Sequence, residues 1–160
     1  MILHHEGIIL QKGYEALEAI SLKEHSNTRA LFSTLAGDFE VTSFSSDILR
    51  MRVVGAASQP DYGILDAQAE NLPIHVVVIP GGYRVESGKL ALEMLSGPMR
   101  IRFYRAGKLL LQSVTDRTIE GHLRFSPFAK RADSWLVALA LANGEPIYGL
   151  GEKWAALNRR

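Results

Sequence analysis

Carboxylates are the first side chains in this sequence that could perform chemistry, because a pair of them can serve as general acid and general base. The chain contains six aspartates, and their spacing matches no catalytic pattern. Asp38, Asp47 and Asp116 fall at predicted turns, where a carboxylate accepts local hydrogen bonds that help the chain to reverse. The remaining aspartates are Asp61, Asp66 and Asp133. We therefore predict no catalytic residue in this chain, and a pair that forms only in the folded structure stays open.

Histidines and nucleophiles give no stronger signal. His4 and His5 are the only adjacent histidines, and neighbouring side chains on a strand point to opposite faces, so they cannot share a metal ion there. The absence of cysteine excludes disulfides and thiolate chemistry. No Gly-x-Ser-x-Gly segment is present. We predict neither a metal nor a cofactor.

Two glycine pairs resemble phosphate-binding loops only in part. The run that starts at Gly149 and Gly151 has Trp154 where a dinucleotide loop has its third glycine, and no βαβ pattern surrounds it. Between Gly82 and Gly88 lie five residues instead of the four that a phosphate loop requires. A hairpin turn is the favoured interpretation of the second segment.

The net charge of +1 indicates no nucleic-acid or membrane partner. Five arginines could still form one basic sheet face that follows phosphates, but Glu86 and Glu93 fall on predicted neighbouring strands. A solvated outer face is the favoured interpretation. The arginines are Arg50, Arg52, Arg100, Arg102 and Arg105.

Aromatic side chains could bind sugars, because an aromatic ring stacks on the apolar face of a pyranose. We assign Trp135 to the core, and Trp154 to contact with another domain or a ligand, since it follows the last predicted strand. An interface role for Trp154 is favoured over a sugar platform. The other candidates are Tyr62, Tyr83, Tyr104 and Tyr148.

The elements that must position these residues are short strands. Apolar and polar residues alternate in 39–43, 47–54 and 99–103, and the last of these is predicted to form a hairpin with 108–112 through Ala106 and Gly107. Further strands are predicted at 83–86 and 89–95. Turn signals recur roughly every eight to twelve residues, so we predict about ten strands in an antiparallel sandwich or barrel.

Three segments are less regular. Residues 135–142 are apolar at nearly every position, which predicts a central strand that is covered on both faces. Residues 14–22 are interpreted as a strand although their composition also suits a helix. Residues 61–72 are predicted to form a loop with a possible helical turn, because their helix-forming run is too short to be stable alone.

The length of 160 residues predicts a single domain, 1–160, which can bury roughly 70% of its unfolded surface. The N-terminal residues lack the basic start and long apolar segment of a signal peptide, and no apolar run approaches the roughly 18 residues of a membrane span. We predict a cytoplasmic location.

The C-terminal residues resemble a known family. Glu145, Tyr148, Gly149, Gly151 and Glu152 match the Glu-x-x-Tyr-Gly-Leu-Gly-Glu stretch, followed by basic residues, of glycoside hydrolase family 31, which comprises α-glucosidases, α-xylosidases and their relatives. The order of the strands in the second half of the chain is also similar. In that family the motif closes an N-terminal β-sandwich domain.

The resemblance implies an all-β, antiparallel sandwich of the galactose-mutarotase-like supersandwich type, which is the N-terminal part of a longer chain. A (β/α)8 barrel in the same parent chain would supply an aspartate nucleophile and an aspartate acid/base for retaining hydrolysis of an α-linked oligosaccharide or α-glucoside. A loop of the N-terminal domain that follows the motif would help to shape the mouth of the active site. No catalytic residue is implied in this chain.

Within the motif, Gly149 and Gly151 allow a close backbone approach that a Cβ would block. Tyr148, Glu152 and Trp154, together with Arg159 and Arg160, are candidates for contact with the barrel. The alternative is that the motif only shapes a turn at the end of the sandwich.

Two other functions remain open. One is a free-standing carbohydrate-binding module. The other is an aldose-epimerase-like enzyme, which would need His75 or His122 beside a carboxylate.

Overall fold

The computed structural model describes residues 14–54, 72–115, 117–119, 123–132 and 134–142. Every element in this part of the chain is a β-strand, and none is a helix that could span a bilayer. The strands are β1 (Glu15–Ala16), β2 (Ser21–His25), β3 (Arg29–Thr34), β4 (Gly37–Ser45), β5 (Ile48–Val53), β6 (His75–Ile79), β7 (Gly82–Ser87), β8 (Leu90–Leu95), β9 (Arg100–Arg105), β10 (Lys108–Gln112), β11 (Arg117–Ile119), β12 (Leu123–Phe125), β13 (Phe128–Arg131) and β14 (Ser134–Val137).

Two antiparallel sheets make up most of the described structure. One has four strands in the order β2-β3-β4-β5, and the other has five strands in the order β10-β9-β8-β7-β6. Neighbours in each sheet are consecutive in sequence, as short hairpin connections require. A small sheet of order β1-β13-β14 and a two-stranded pair, β11-β12, complete it.

The alternation in the sequence decides which side of each sheet faces the core. In β4, Phe39 and Val41 are buried, whereas Glu40 between them lies on the outer face. In β8, Leu92 and Met94 are buried, and Glu93 lies between them. This two-residue period is the expected pattern for sheets that are packed on one face.

Contacts between the two sheets form one core. The rings of Phe32 on β3 and Tyr83 on β7 are 5.4 Å apart. The buried hydroxyl of Ser87 donates a hydrogen bond to Oγ of Ser43 at 2.9 Å, which links β7 to β4. Phe128 of the small sheet packs edge-on against Phe39 at 6.4 Å. The described part is therefore a β-sandwich with a core of its own.

The hairpins agree with the sequence. Strands β4 and β5 pair across the turn that contains Asp47, and β7 pairs with β8. Between β9 and β10, Ala106 and Gly107 have φ values of 48° and 78°. Two consecutive residues with positive φ are typical of the two-residue turns that match the twist of a hairpin.

Two sequence-based assignments need correction. Residues 14–22 are not one strand, because β1 covers only Glu15 and Ala16 and β2 begins at Ser21. The prediction of a central strand at 135–142 is wrong. Only Ser134–Val137 form a strand, this strand is the last of the small sheet, and Val137, Leu139 and Leu141 are exposed. The predicted loop at 61–72 and the motif at 145–154 lie outside the described residues, apart from Leu72.

Candidate functional site

The described aspartates are engaged in ion pairs. Asp38 accepts a hydrogen bond from Lys23 at 2.9 Å, and this bond lowers the pKa of Asp38 below its usual value. Asp47 accepts one from Arg105 at 2.6 Å. A carboxyl group with a lowered pKa remains ionised and is a poor general acid. Asp61, Asp66, Asp116 and Asp133 lie outside the described residues.

No group of three or more potential metal ligands occurs in the described ranges. His75 is exposed in β6 and lies opposite Glu86 of β7 in the strand register. Glu86 accepts a hydrogen bond from Arg84 at 2.6 Å, so this carboxylate is engaged by an arginine. His122 lies outside the described ranges.

The five arginines do not form one basic face, because they belong to different sheets. Arg50 and Arg52 lie on β5 of the four-stranded sheet, and Arg100, Arg102 and Arg105 lie on β9 of the five-stranded sheet. A single phosphate-binding stripe is therefore not formed. The sequence could not show this separation, since it depends on which hairpins share a sheet.

On the four-stranded sheet, carboxylates neutralise the outer face. Glu40 accepts hydrogen bonds from Nε of Arg29 at 2.6 Å and from Arg52 at 3.1 Å. The bond to Glu40 is the main cause of a raised pKa at Arg29, and Glu24 adds to it. These side chains form ion pairs with one another, as is typical of a surface that faces water.

On the five-stranded sheet the pairing is incomplete. Arg84 donates to Glu86 at 2.6 Å and to Glu93 at 2.9 Å, and these contacts, Glu86 foremost, raise the pKa of Arg84. The hydroxyl of Tyr104 also donates to Glu93, at 3.1 Å. The distance from the guanidinium of Arg102 to the carboxylate of Glu93 is 3.7 Å, which is too long for a hydrogen bond. The Nε atom of Arg100 is buried and has no hydrogen-bond partner.

The described aromatic side chains of the predicted sugar platform are engaged elsewhere. Trp135 packs on Phe39 at 5.3 Å, and the ammonium group of Lys130 lies 5.0 Å from its ring, which agrees with the core assignment. Tyr83 packs on Phe32, and Tyr104 contacts the Arg84 guanidinium at 5.2 Å. Tyr62, Tyr148 and Trp154 lie outside the described residues. None of the three described rings is an open platform for a sugar.

The motif at the C-terminus, which carried the sequence-based site, lies outside the described residues as a whole. Its role in contacting a barrel therefore stays a prediction. The residues concerned are Tyr148, Gly149, Gly151, Glu152, Trp154, Arg159 and Arg160.

A cluster of exposed apolar side chains lies at the β10 side of the five-stranded sheet. We call it the β10 edge surface, and its members are 41% to 58% exposed. A groove of about 200 Å3 in this surface is lined by residues 109–112 and 140–142. The members of the β10 edge surface are Leu109, Leu110, Val137, Leu139 and Leu141.

Backbone hydrogen bonds hold the two halves of this surface together. The N–H of Ala140 donates to the carbonyl of Gln112 at 2.8 Å, and Ser113 pairs with Leu139 in an antiparallel bridge. The segment after β14 thus runs beside the end of β10. Its alternate positions bring Val137, Leu139 and Leu141 to one side. A groove that is lined mostly by leucines and alanines, with no charged side chain, is a candidate for contact with another protein surface.

Comparison with known proteins identifies the domain type. Residues 38–160 match the family described as the glycosyl hydrolase 31 N-terminal galactose mutarotase-like domain. No curated protein sequence matches the chain significantly.

Solved structures have the same fold. A Flavobacterium johnsoniae GH31 dextranase, FjDex31A, superimposes with a TM-score of 0.59 at 17% identity and covers 92% of this chain and 18% of its own. The cycloalternan-forming enzyme from Listeria monocytogenes gives 0.61 at 16% identity, with 92% of this chain and 14% of its own. The uncharacterized protein lmo2446 from Listeria monocytogenes EGD-e gives 0.60 at 16% identity, with the same shares. The chain thus spans less than a fifth of these proteins.

Proposed function

Because this chain belongs to the glycosyl hydrolase 31 N-terminal galactose mutarotase-like domain family, we propose that it is the non-catalytic N-terminal domain of an α-glycosidase. The observation that supports this proposal most directly is the family match, which extends over residues 38–160. In this proposal the domain packs on a catalytic (β/α)8 barrel of the same parent chain and helps to shape the mouth of its active site. The parent protein would act in carbohydrate metabolism.

The described side chains support a non-catalytic role. Retaining hydrolysis of a glycoside needs two carboxyl groups about 5–5.5 Å apart across the scissile bond, one of which must be protonated. Asp38 and Asp47 instead bind Lys23 and Arg105, and Glu93 binds Arg84. The hydrogen bond from Lys23 lowers the pKa of Asp38, so this carboxyl group stays ionised.

The parent's substrate is proposed from the similar structures. One of them is a dextranase that was solved with glucose, and another is a cycloalternan-forming enzyme that was solved with a pentasaccharide substrate. We infer that the parent acts on an α-linked oligosaccharide or α-glucoside. We also place it in the cytoplasm, since a chain without cysteine suits a reducing compartment.

The experiment compares two proteins, namely the 160-residue chain and the longer protein encoded by the same reading frame. Both are assayed with nitrophenyl α-glucoside and nitrophenyl α-xyloside. The chain has its own core, so it can be purified as a folded domain. We expect turnover by the longer protein and none by the 160-residue chain.

Two results would overturn the proposal. Hydrolysis by the 160-residue chain that persists through repurification would make the domain itself an enzyme. A stop codon directly after codon 160 would remove the catalytic domain from the account. In that case titration of the chain with maltose, followed by tryptophan fluorescence, would test a free-standing carbohydrate-binding module.

A further inference from the structure

We propose that the β10 edge surface is the place where the catalytic domain of the parent chain docks, and that this docking brings a carboxylate to Arg100. This inference rests on the proposed function and adds the location and chemistry of the interface. The catalytic domain would present apolar side chains to the leucines and one acidic side chain to the neighbouring guanidinium.

The first argument is the contrast in charge between this surface and the outer faces. The groove at residues 109–112 and 140–142 has no charged side chain in its lining. Leu110 and Leu141 at this surface are 58% and 45% exposed. Exposed leucines that line one continuous groove mark a surface that another protein covers.

The second argument is the course of the chain. Residues 140–142, which end the last described range, line the groove. The similar structures extend over more than five times the length that this chain covers in them, which leaves room for a large domain.

The third argument is the unsatisfied arginine. The buried Nε of Arg100 has no hydrogen-bond partner, and a buried donor without a partner destabilises a protein. Arg84 on the same sheet already binds Glu86 and Glu93. A carboxylate is the acceptor that suits a guanidinium best, because both nitrogens of one edge can donate to it.

Arg100 is close to the surface. The N–H of Ser113 donates to the carbonyl of Ile101 at 2.9 Å, and the N–H of Val114 donates to the carbonyl of Ala138 at 3.0 Å. Arg100 is therefore separated from the segment after β14 by a single strand. Two strand spacings correspond to about 10 Å, a distance that the extended side chains of Arg100 and of a glutamate on a docked domain can bridge together.

The opposite edge of the five-stranded sheet provides the matched control. Val78 on β6 is 76% exposed, and it lies at the other end of the strand order from β10. Leu35, in the turn between β3 and β4, is 98% exposed. Both are apolar and accessible, but neither borders the groove.

The first test compares the double variant Leu110→Lys/Leu141→Lys with the control Leu35→Lys/Val78→Lys. Each is made in the 160-residue chain and in the longer protein. In the 160-residue chain we expect both melting temperatures to stay within about 3 °C of the wild type, because the substitutions are at exposed positions. In the longer protein we expect the groove variant alone to lose about 5 °C or more from its first unfolding transition.

The second test is Arg100→Met, which we expect to act in opposite directions in the two proteins. Methionine removes the unpaired donor and keeps most of the side-chain volume, so the 160-residue chain should melt at a higher temperature. The longer protein should melt at a lower temperature because the docked carboxylate loses its partner. Lys at the same position retains a cation and should restore part of the loss in the longer protein.

The outcomes separate the two proposals. A longer protein without α-glycosidase activity contradicts the proposed function. A longer protein that is active, and in which the groove variant melts like the control, contradicts docking at the β10 edge surface. A larger loss in the Leu35→Lys/Val78→Lys variant would place the interface on another face. If Arg100→Met raises the melting temperature of both proteins, the proposal that a carboxylate of the docked domain binds Arg100 is contradicted.

Discussion

Two leucines of the same sheet illustrate how differently the sandwich and the β10 edge surface are built. Leu92 on β8 is completely buried between the two sheets, whereas Leu110 on β10 is 58% exposed. Around Leu92 the outer face is closed by ion pairs such as Arg84 with Glu93. Around Leu110 the groove has no charged lining. Ion pairs thus cover part of the outer face of the sandwich, whereas the β10 edge surface has the apolar composition of an interface.

The largest effect should come from shortening Leu92. We expect Leu92→Ala to lower the free energy of unfolding of the 160-residue chain by about 2–5 kcal/mol, because it leaves a cavity in a packed core. Leu110→Ala removes the same atoms from an exposed position and should change it by less than about 0.5 kcal/mol. Urea unfolding measures both. Equal losses for the two leucines would mean that the β10 edge is part of the core.

The next effect concerns the buried hydroxyl pair that joins the sheets. Ser43→Ala deprives Ser87 of the acceptor for its hydrogen bond, so we expect a loss of about 1–3 kcal/mol. The double variant Ser43→Ala/Ser87→Ala leaves no unpaired donor and should regain part of that loss. A double-mutant cycle in urea measures the coupling energy. A coupling energy of zero would mean that the two hydroxyls do not interact.

The smallest effect concerns a surface charge. The pKa of Asp38 is lowered in the folded state, chiefly by the hydrogen bond from Lys23, so this pair adds stability above the unfolded pKa of about 3.9 and loses it as the pH falls through the folded pKa. Below about pH 4 we expect the melting temperature of the wild type to decrease, and that of Asp38→Asn to decrease less. An identical fall in both proteins would show that the pair contributes nothing.

Local patterns were enough to predict much of the fold. The alternation around Phe39, Leu92 and Ile101, and the Ala106-Gly107 turn, depend only on residues that are close in sequence. These patterns predicted an antiparallel sandwich or barrel, and the resemblance to glycoside hydrolase family 31 implied the sandwich. The distribution of Arg52 and Arg102 over different sheets could not be predicted, because it is decided by pairing between distant segments.

The incorrect prediction at 135–142 is the most informative one. A run that is apolar on both sides indicates a strand that is covered on both sides. In the structure Val137, Leu139 and Leu141 are instead exposed. A second domain that covers these side chains, as proposed above, would account for the apolar pattern, although the strand itself ends at Val137. The C-terminal motif with Tyr148 and Glu152, which carries the family resemblance, lies outside the described residues.

Amide hydrogen exchange in the 160-residue chain and in the longer protein tests the central claim most directly. If a catalytic domain docks on the β10 edge surface, exchange at residues 109–111 and 139–142 should be slower in the longer protein, and exchange in β4 and at Val78 on β6 should be unchanged. Slower exchange at β6 alone, or equal exchange at residues 109–111 and 139–142 in the two proteins, would contradict the account.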